Sequence, residues 1–271
     1  MEAAECAAEM VILSSEVFQG QNLRPILEYF PKASVEVVLF VRRYDRFFES
    51  LVAQDAKVGV LIDIPSFTGG HYKTMMGHFS EAENFSRVVG DDRVKVIHYR
   101  EGVDARQTFL SQLGLPVAGL ESSVVNTGLT TIDIWGALLL NKLYRCNDGE
   151  IALSELMSAT PAQKQEELSN RWRLGFFLNI RKREELLAQM EFDNQMLHRR
   201  FGFTENICKL EDAERASLID VDVPPMDLVF ERVAELIKAH KSLQDLIRNQ
   251  SVDLRSEISF DEYYARVKAI A

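Results

Sequence analysis

Cysteine is scarce in this chain, and its placement says little in favour of a disulfide scaffold. The three cysteines, Cys6, Cys146 and Cys208, lie far apart, and no CxxC pair occurs. An odd number of widely separated cysteines argues against a disulfide framework and favours a reducing compartment. The expected location is therefore the cytoplasm.

Long apolar runs and excess positive charge are also missing. Apolar runs such as Trp135 to Leu140 are far too short to span a bilayer, and the opening MEAAECAAEM has neither the basic region nor the apolar core of a signal peptide. The net charge is −10, from 31 basic and 41 acidic residues. This balance argues against nucleic-acid binding, and it means that a local basic pocket must hold any anionic ligand.

The common short catalytic motifs are absent from the printed sequence. It contains no GxGxxG, HExxH or GxSxG segment. Residues 69–74, Gly-Gly-His-Tyr-Lys-Thr, suggest a phosphate loop, but His71 and Tyr72 separate the glycines from Lys73 and Pro65 interrupts the approach. We therefore reject a P-loop here, and the scattered histidines predict no metal site.

What is present is an alternation of strands and helices followed by a mostly helical half. With 46% apolar and 27% charged residues, the chain is typical of a globular protein. Apolar runs predict strands at Met10–Leu13, Val35–Val41 and Val94–Tyr99, with helices between them, and Asp104 is expected to cap a helix that ends near Leu113. Such alternation predicts an α/β fold with a parallel sheet flanked by helices.

From Thr130 onward the strand signals nearly vanish. Helices are predicted at 131–143, 161–190 and 226–248, with a boundary at Pro224-Pro225. The charge run at residues 181–185, Arg-Lys-Arg-Glu-Glu, is interpreted as a solvated helix face. A helical half of this size is compatible with a homo-oligomer, although the sequence does not define one.

The segment from Val35 to Gln54 carries the clearest functional signal. Its strand runs directly into Arg42, and a helix then brings Ser50 back to the same side after eight residues, or about 800° of rotation. Open α/β sheets bind ligands at the carboxyl ends of their strands. A guanidinium and a hydroxyl that converge there suit a phosphate group, the alternative being a solvated arginine and an ordinary helix serine.

Ser14, Ser15 and Glu16 follow the predicted first strand in the same way. If that strand neighbours Val35–Val41, Glu16 lies near Arg42 and could deprotonate a hydroxyl or an amine. The alternative is that these three residues only begin the next turn.

In this order, the segments VILSSE (11–16), FVRRYDRFFES (40–50) and VKVIHYREGVDARQTFLSQLGLP (94–116) resemble the bacterial sulfotransferase-like family. The resemblance covers about residues 10–120. It implies a sulfotransferase core of the P-loop type at residues 1–120, incomplete at its N-terminus, and a helical extension at residues 121–271.

The resemblance implies a role for four residues. Arg42 and Ser50 match the positions that hold the 3′-phosphate of the sulfate donor 3′-phosphoadenosine 5′-phosphosulfate (PAPS), whose product is adenosine 3′,5′-bisphosphate. Glu16 falls at the catalytic base, and Tyr72 resembles an aromatic position near the acceptor. The expected reaction is in-line transfer of a sulfuryl group to a hydroxyl or amine of a small-molecule or carbohydrate acceptor.

The sequence departs from the family at one important point. Family members carry a KTG[ST]T-type loop that binds the 5′-phosphosulfate, and no such segment occurs among these 271 residues. Two explanations stay open at this stage: a start downstream of the true one, or a degenerate relative that acts as a binding or assembly module. A nucleotide-sugar glycosyltransferase is a third alternative, for which only Asp220-Val221-Asp222 offers a DxD-like metal site.

Overall fold

A computed structural model describes residues 10–14, 20–57, 77–100, 103–117, 130–144, 178–217 and 226–241. Within these ranges the elements are α1 (Gly20–Tyr29), β1 (Val37–Val41), α2 (Tyr44–Lys57), α3 (His78–Val89), β2 (Val94–His98), α4 (Ala105–Gln112), α5 (Thr131–Tyr144), α6 (Ile180–Gln189), α7 (Glu191–Phe201), α8 (Asp212–Ser217) and α9 (Met226–Ala239). The chain is therefore α/β and mostly helical.

The sheet is small and parallel. β1 and β2 pair in parallel from Val37 opposite Val94 to Val41 opposite His98. The β-branched residues of both strands favour the extended backbone, and a parallel pair requires the crossover that α2 and α3 supply. The predicted parallel sheet is confirmed in this small form, and the described sheet contains these two strands.

Contacts divide the chain into two compact units. Unit 1 comprises residues 1–44, 76–122 and 187–209, and unit 2 comprises residues 45–75, 123–186 and 210–271. The predicted boundary at 120 stays a prediction, and the predicted break at 224–225 lies outside the described residues.

In unit 1, helices α3 and α7 pack on the sheet, and α1 packs on α3. The core residues share near-complete burial, and they include Leu23, Val41, Tyr44, Ala82, Phe85, Val94, Leu187, Met190, Leu197, Phe203 and Ile207. Asp104 caps α4 by accepting the Arg106 N–H, as predicted. Helix α7 ends at Gly202, whose φ of 63° is the left-handed conformation that glycine adopts without steric cost.

In unit 2, α5 packs along α9. Their contact surface buries aliphatic residues of both helices and one ion pair, in which Arg232 Nε donates to Asp133 Oδ1 at 2.7 Å. Asp133 also accepts from the Thr130 hydroxyl at 2.8 Å while its N–H donates to that hydroxyl oxygen at 3.1 Å. These reciprocal hydrogen bonds cap the N-terminus of α5, and they fix the orientation of the Asp133 carboxylate that Arg232 contacts.

Two sequence-based predictions are wrong. Met10–Leu13 is not a buried strand, because its backbone is irregular and its four side chains are 44–52% exposed. Apolar composition alone does not make a strand, since the ladder requires a neighbouring strand and neither described strand pairs with this segment.

Arg183 likewise does not lie on a solvated helix face. Its side chain is fully buried in unit 2, where Nη1 donates to Asp45 Oδ2 and Nη2 donates to Glu49 Oε1. Arg181, two residues earlier, is 86% exposed and pairs with Glu185, as a solvated face requires. The charged residues 181–185 therefore lie on two faces of the helix, because side chains two residues apart on a helix point about 200° apart.

Candidate functional site

The carboxyl edge of the sheet, defined here as the residues that follow β1 and β2, brings together two segments of unit 1. Arg42 and Arg43 follow β1, and Tyr99 and Arg100 follow β2. The Tyr99 N–H donates to the Val41 carbonyl at 2.7 Å, so the parallel ladder extends to this point. The prediction that Arg42 follows the end of a parallel strand is confirmed.

Arg42 lies against an aromatic ring at this edge. Its guanidinium carbon is 5.6 Å from the centre of the Tyr99 ring, within the range of a cation–π contact. Arg42 is half-buried, whereas Tyr99 is 38% exposed. The ring thus restricts the orientation of a guanidinium at the edge of the sheet where α/β proteins bind ligands.

The other predicted site residues are not brought to this edge by any described contact. Ser50 lies in α2, is exposed and belongs to unit 2, so its predicted convergence with Arg42 stays a prediction. Glu16 and Tyr72 lie outside the described residues.

Sequence reasoning missed an ion cluster on the same edge. Glu205, in the segment after α7, accepts from His98 Nδ1 at 3.0 Å and from Arg100 Nη2 at 2.5 Å. Because a carboxylate only accepts hydrogen bonds, Nδ1 of His98 carries the proton. Burial alone would raise the pKa of Glu205, but the hydrogen bonds from His98 and Arg100 outweigh it and lower that pKa. The only sequence signal was the alternation His98-Tyr99-Arg100 at the end of a strand.

A buried polar cluster lies next to this edge, behind the residues that follow β1. The Tyr44 hydroxyl donates to Asp193 Oδ2 at 2.5 Å, and the Phe79 N–H donates to the same oxygen at 2.9 Å. Gly77, the N-cap residue of α3, has no side chain with which to satisfy this N–H, so Asp193 of α7 supplies the cap from another helix. The carboxylate therefore joins Tyr44, at the start of α2, to the start of α3.

His78 completes this cluster. Its ring stacks on Tyr44 with centroids 4.7 Å apart, and its Nε2 lies 2.8 Å from the Arg42 carbonyl oxygen. The carbonyl requires a donor, so Nε2 carries the proton of a neutral imidazole. Burial lowers the pKa of His78 to about 4, and the hydrogen bond to Arg42 offsets only part of this effect. The backbone of Arg42 is thus held by a neutral histidine at pH 7.

A pH dependence of stability follows from His78. Its pKa is near 6.5 in the unfolded chain and about 4 in the folded protein. A lowered pKa gives stability that is present above pH 6.5 and lost as the pH falls toward 4, here up to about 3 kcal/mol. We expect the free energy of unfolding in urea to fall over this window by more in the unsubstituted protein than in His78→Gln.

An imidazole NMR titration provides the second readout. The His78 resonances should titrate near pH 4 in the folded protein. The assignment would be contradicted if the free energy of unfolding changed equally with pH in the two proteins and the His78 resonances titrated near pH 6.5.

A concave region lies beside β2, away from this edge. It encloses about 460 Å³ and is lined by Asp91, Asp92, Val94, Lys95, Val96, Ile97, Gln112, Arg200 and Phe201. Arg200 already forms a bidentate ion pair with Asp91, with Nε 3.0 Å from Oδ2 and Nη2 3.1 Å from Oδ1. It also donates a hydrogen bond to Glu83. The guanidinium of Arg200, in α7, is therefore already bound to α3 and to the turn that precedes β2.

Other classes of site find no support in the part of the chain that the structure describes. No group of three or more His, Cys, Asp or Glu side chains in these ranges is placed to hold a metal ion. None of the described helices combines the length and apolarity needed to cross a bilayer.

Comparison with known proteins gives no relative. No family, no curated protein and no solved structure matches this chain.

Proposed function

We propose that this protein is a sulfotransferase-like nucleotide-binding protein, and that the carboxyl edge of its sheet binds the 3′-phosphate of PAPS or of adenosine 3′,5′-bisphosphate through Arg42. The observation that carries the proposal is the parallel pairing of β1 with β2. It supports the proposal because it places a half-buried arginine and an exposed aromatic ring side by side at the edge where such sheets bind ligands.

The residues of this edge fit an anionic ligand. A planar guanidinium forms two parallel hydrogen bonds to a phosphate, and Tyr99 already limits the orientations that it can adopt. The edge also holds a carboxylate between His98 and Arg100, so it stabilises negative charge in a protein whose net charge is −10.

The chemistry we propose is that of the resembled family. Bound PAPS would supply an activated sulfuryl group for in-line transfer to a hydroxyl or amine, with adenosine 3′,5′-bisphosphate as the leaving group. Arg42 and, by the sequence prediction, Ser50 would fix the 3′-phosphate, and Glu16 would accept the proton of the attacking group. Tyr72 would contact the acceptor.

Nucleotide binding tests this proposal. We expect calorimetry to detect binding of adenosine 3′,5′-bisphosphate and Arg42→Ala to weaken it at least about tenfold, because a charge-assisted phosphate contact is lost. Ser50→Ala should weaken it less, since a hydroxyl provides one neutral donor.

The matched control is Arg93→Ala, which removes an exposed arginine just before β2, at the other end of the strand. This variant carries the same change in net charge and should bind as the unsubstituted protein does. No binding at millimolar nucleotide, or equal losses in the two arginine variants, would contradict the proposed function.

A further inference from the structure

At the carboxyl edge, a carboxylate of the protein itself accepts hydrogen bonds from two side chains. Glu205 lies in the segment between α7 and α8, 107 residues from His98, and its two oxygens are shared between His98 and Arg100. Contacts of 3.0 and 2.5 Å from two donors to one carboxylate form an anion-binding arrangement. The lowered pKa of Glu205 agrees with this, because it records stabilisation of the negative charge.

Arg42 and Arg100 lie on opposite faces of the sheet at this edge. Successive side chains of an extended chain point to opposite faces, so His98 and Arg100 share one face and Tyr99 points to the other. Arg42 lies over the Tyr99 ring, whereas Glu205 contacts the His98 and Arg100 side. A ligand that lies across the strand end therefore meets Arg42 on one face and Arg100 on the other.

The contact of Glu205 is also exchangeable. The Arg100 side chain is 59% exposed and that of Glu205 is 34% exposed, so solvent reaches both groups. The main chain of the segment is held independently, because the Glu205 carbonyl lies 2.9 Å from His198 Nε2. The carboxylate can therefore rotate away while the backbone keeps its anchor on α7.

We propose that His98 and Arg100 form a second phosphate subsite, which binds the 5′-phosphate of the nucleotide, and that the Glu205 carboxylate fills this subsite until the phosphate displaces it. This inference rests on the proposed function for the identity of the nucleotide. It assigns a group to the 5′ end of the ligand, for which the sequence offered no residue. It also makes Glu205 an internal competitor of the ligand.

Calorimetry with two nucleotides tests the assignment. In Glu205→Gln, the affinity for adenosine 3′,5′-bisphosphate should rise about two- to fivefold, because a competing charge that contributes the energy of an exposed ion pair is removed. The affinity for adenosine 3′-monophosphate, which lacks the 5′-phosphate, should not change. In Arg100→Ala the bisphosphate should bind several-fold more weakly, again with no change for the 3′-monophosphate.

The control for charge is Glu36→Gln. Glu36 pairs with Lys95 at 2.8 Å near the amino ends of the strands, so the substitution makes the same change in net charge far along the sheet from the edge. We expect it to leave both affinities unchanged. Equal gains in Glu36→Gln and Glu205→Gln would show a general charge effect and would overturn the subsite.

The two proposals fail in different ways. If the bisphosphate binds and depends on Arg42 but not on Glu205 or Arg100, the proposed function stands and the second subsite is wrong. If neither nucleotide binds, the proposed function is wrong, and inorganic phosphate then tests the subsite alone. Phosphate should shift the Arg100 backbone NMR signal at lower concentration in Glu205→Gln than in the unsubstituted protein, and the absence of that difference would overturn the subsite.

Discussion

Arg183→Met is expected to lower the free energy of unfolding by about 3–5 kcal/mol, because it leaves buried carboxylates without their principal cation. Arg183 is fully buried, and it contacts Asp45 and Glu49, which are themselves buried. Burial raises the pKa of Glu49, and the charge of Arg183 offsets only part of this. Urea unfolding at pH 7 measures the loss.

The adjacent charge run supplies the control. Arg181 lies on the same helix, is 86% exposed and pairs with Glu185, so Arg181→Met should change stability by no more than about 0.5 kcal/mol. Equal losses in the two variants would show that burial of Arg183 is not the cause.

The pH dependence of Arg183→Met sharpens this test. Without the arginine, the pKa of the buried Glu49 carboxyl group should rise further above that of the unfolded chain. A raised carboxyl pKa gives stability at low pH that is lost as the pH increases, so the deficit of the variant should be smaller at pH 5 than at pH 7. The triple variant Asp45→Asn, Glu49→Gln, Arg183→Met should recover most of the loss, because no unpaired charge is left and the amide that replaces the Glu49 carboxylate keeps an acceptor for the Leu178 N–H.

Asp193→Ala is expected to lower the free energy of unfolding by about 2–4 kcal/mol. It leaves the buried Tyr44 hydroxyl without its acceptor, and it removes the cap of α3. Burial raises the pKa of Tyr44, and the charge and hydrogen bond of Asp193 raise it further, so this phenol stays protonated and donates. Burial likewise raises the pKa of Asp193 itself. Asp193→Asn keeps an acceptor and removes the cost of burying a charge, so it should be less destabilising than Asp193→Ala.

A double-mutant cycle with Tyr44→Phe isolates the contact between the two side chains. Because both substitutions remove the same hydrogen bond, the double variant should be more stable than the sum of the single losses predicts, by about 1 kcal/mol. Strict additivity of the two losses would show that Tyr44 and Asp193 do not act through each other.

The local features of the fold were predictable from the sequence. β-Branched runs predicted β1 and β2, the segment after Arg42 was predicted to be a helix, and Asp104 predicted the start of α4. Each of these signals lies within one element and depends on neighbours a few residues away. Helix α7 was not predicted as a separate element, although acidic residues in its first turn, His198-Arg199-Arg200 in its last turn and Gly202 after it are ordinary boundary signals.

What the sequence did not reveal depends on distant contacts. Asp193 caps a helix 114 residues earlier in the chain, and Glu205 binds His98 across 107 residues. Within residues 181–185 every side chain is charged. The sequence therefore has no apolar position that would indicate which face of the helix is buried, and it does not distinguish the buried Arg183 from the exposed Arg181. For the candidate site, the strand ends predicted where Arg42 lies, whereas the Tyr99 contact and the Glu205 cluster required the three-dimensional pairing.

The most direct test of the central claim is a cycle of two proteins and two ligands. Calorimetry should compare adenosine 3′,5′-bisphosphate with adenosine 5′-monophosphate, which lacks only the 3′-phosphate, on the unsubstituted protein and on Arg42→Ala. We predict that the 3′-phosphate raises affinity at least about tenfold in the unsubstituted protein and has a much smaller effect in Arg42→Ala, where the Ser50 hydroxyl is the remaining donor. If the 3′-phosphate raises affinity equally in both proteins, or in neither, Arg42 does not bind it and the proposed function is contradicted.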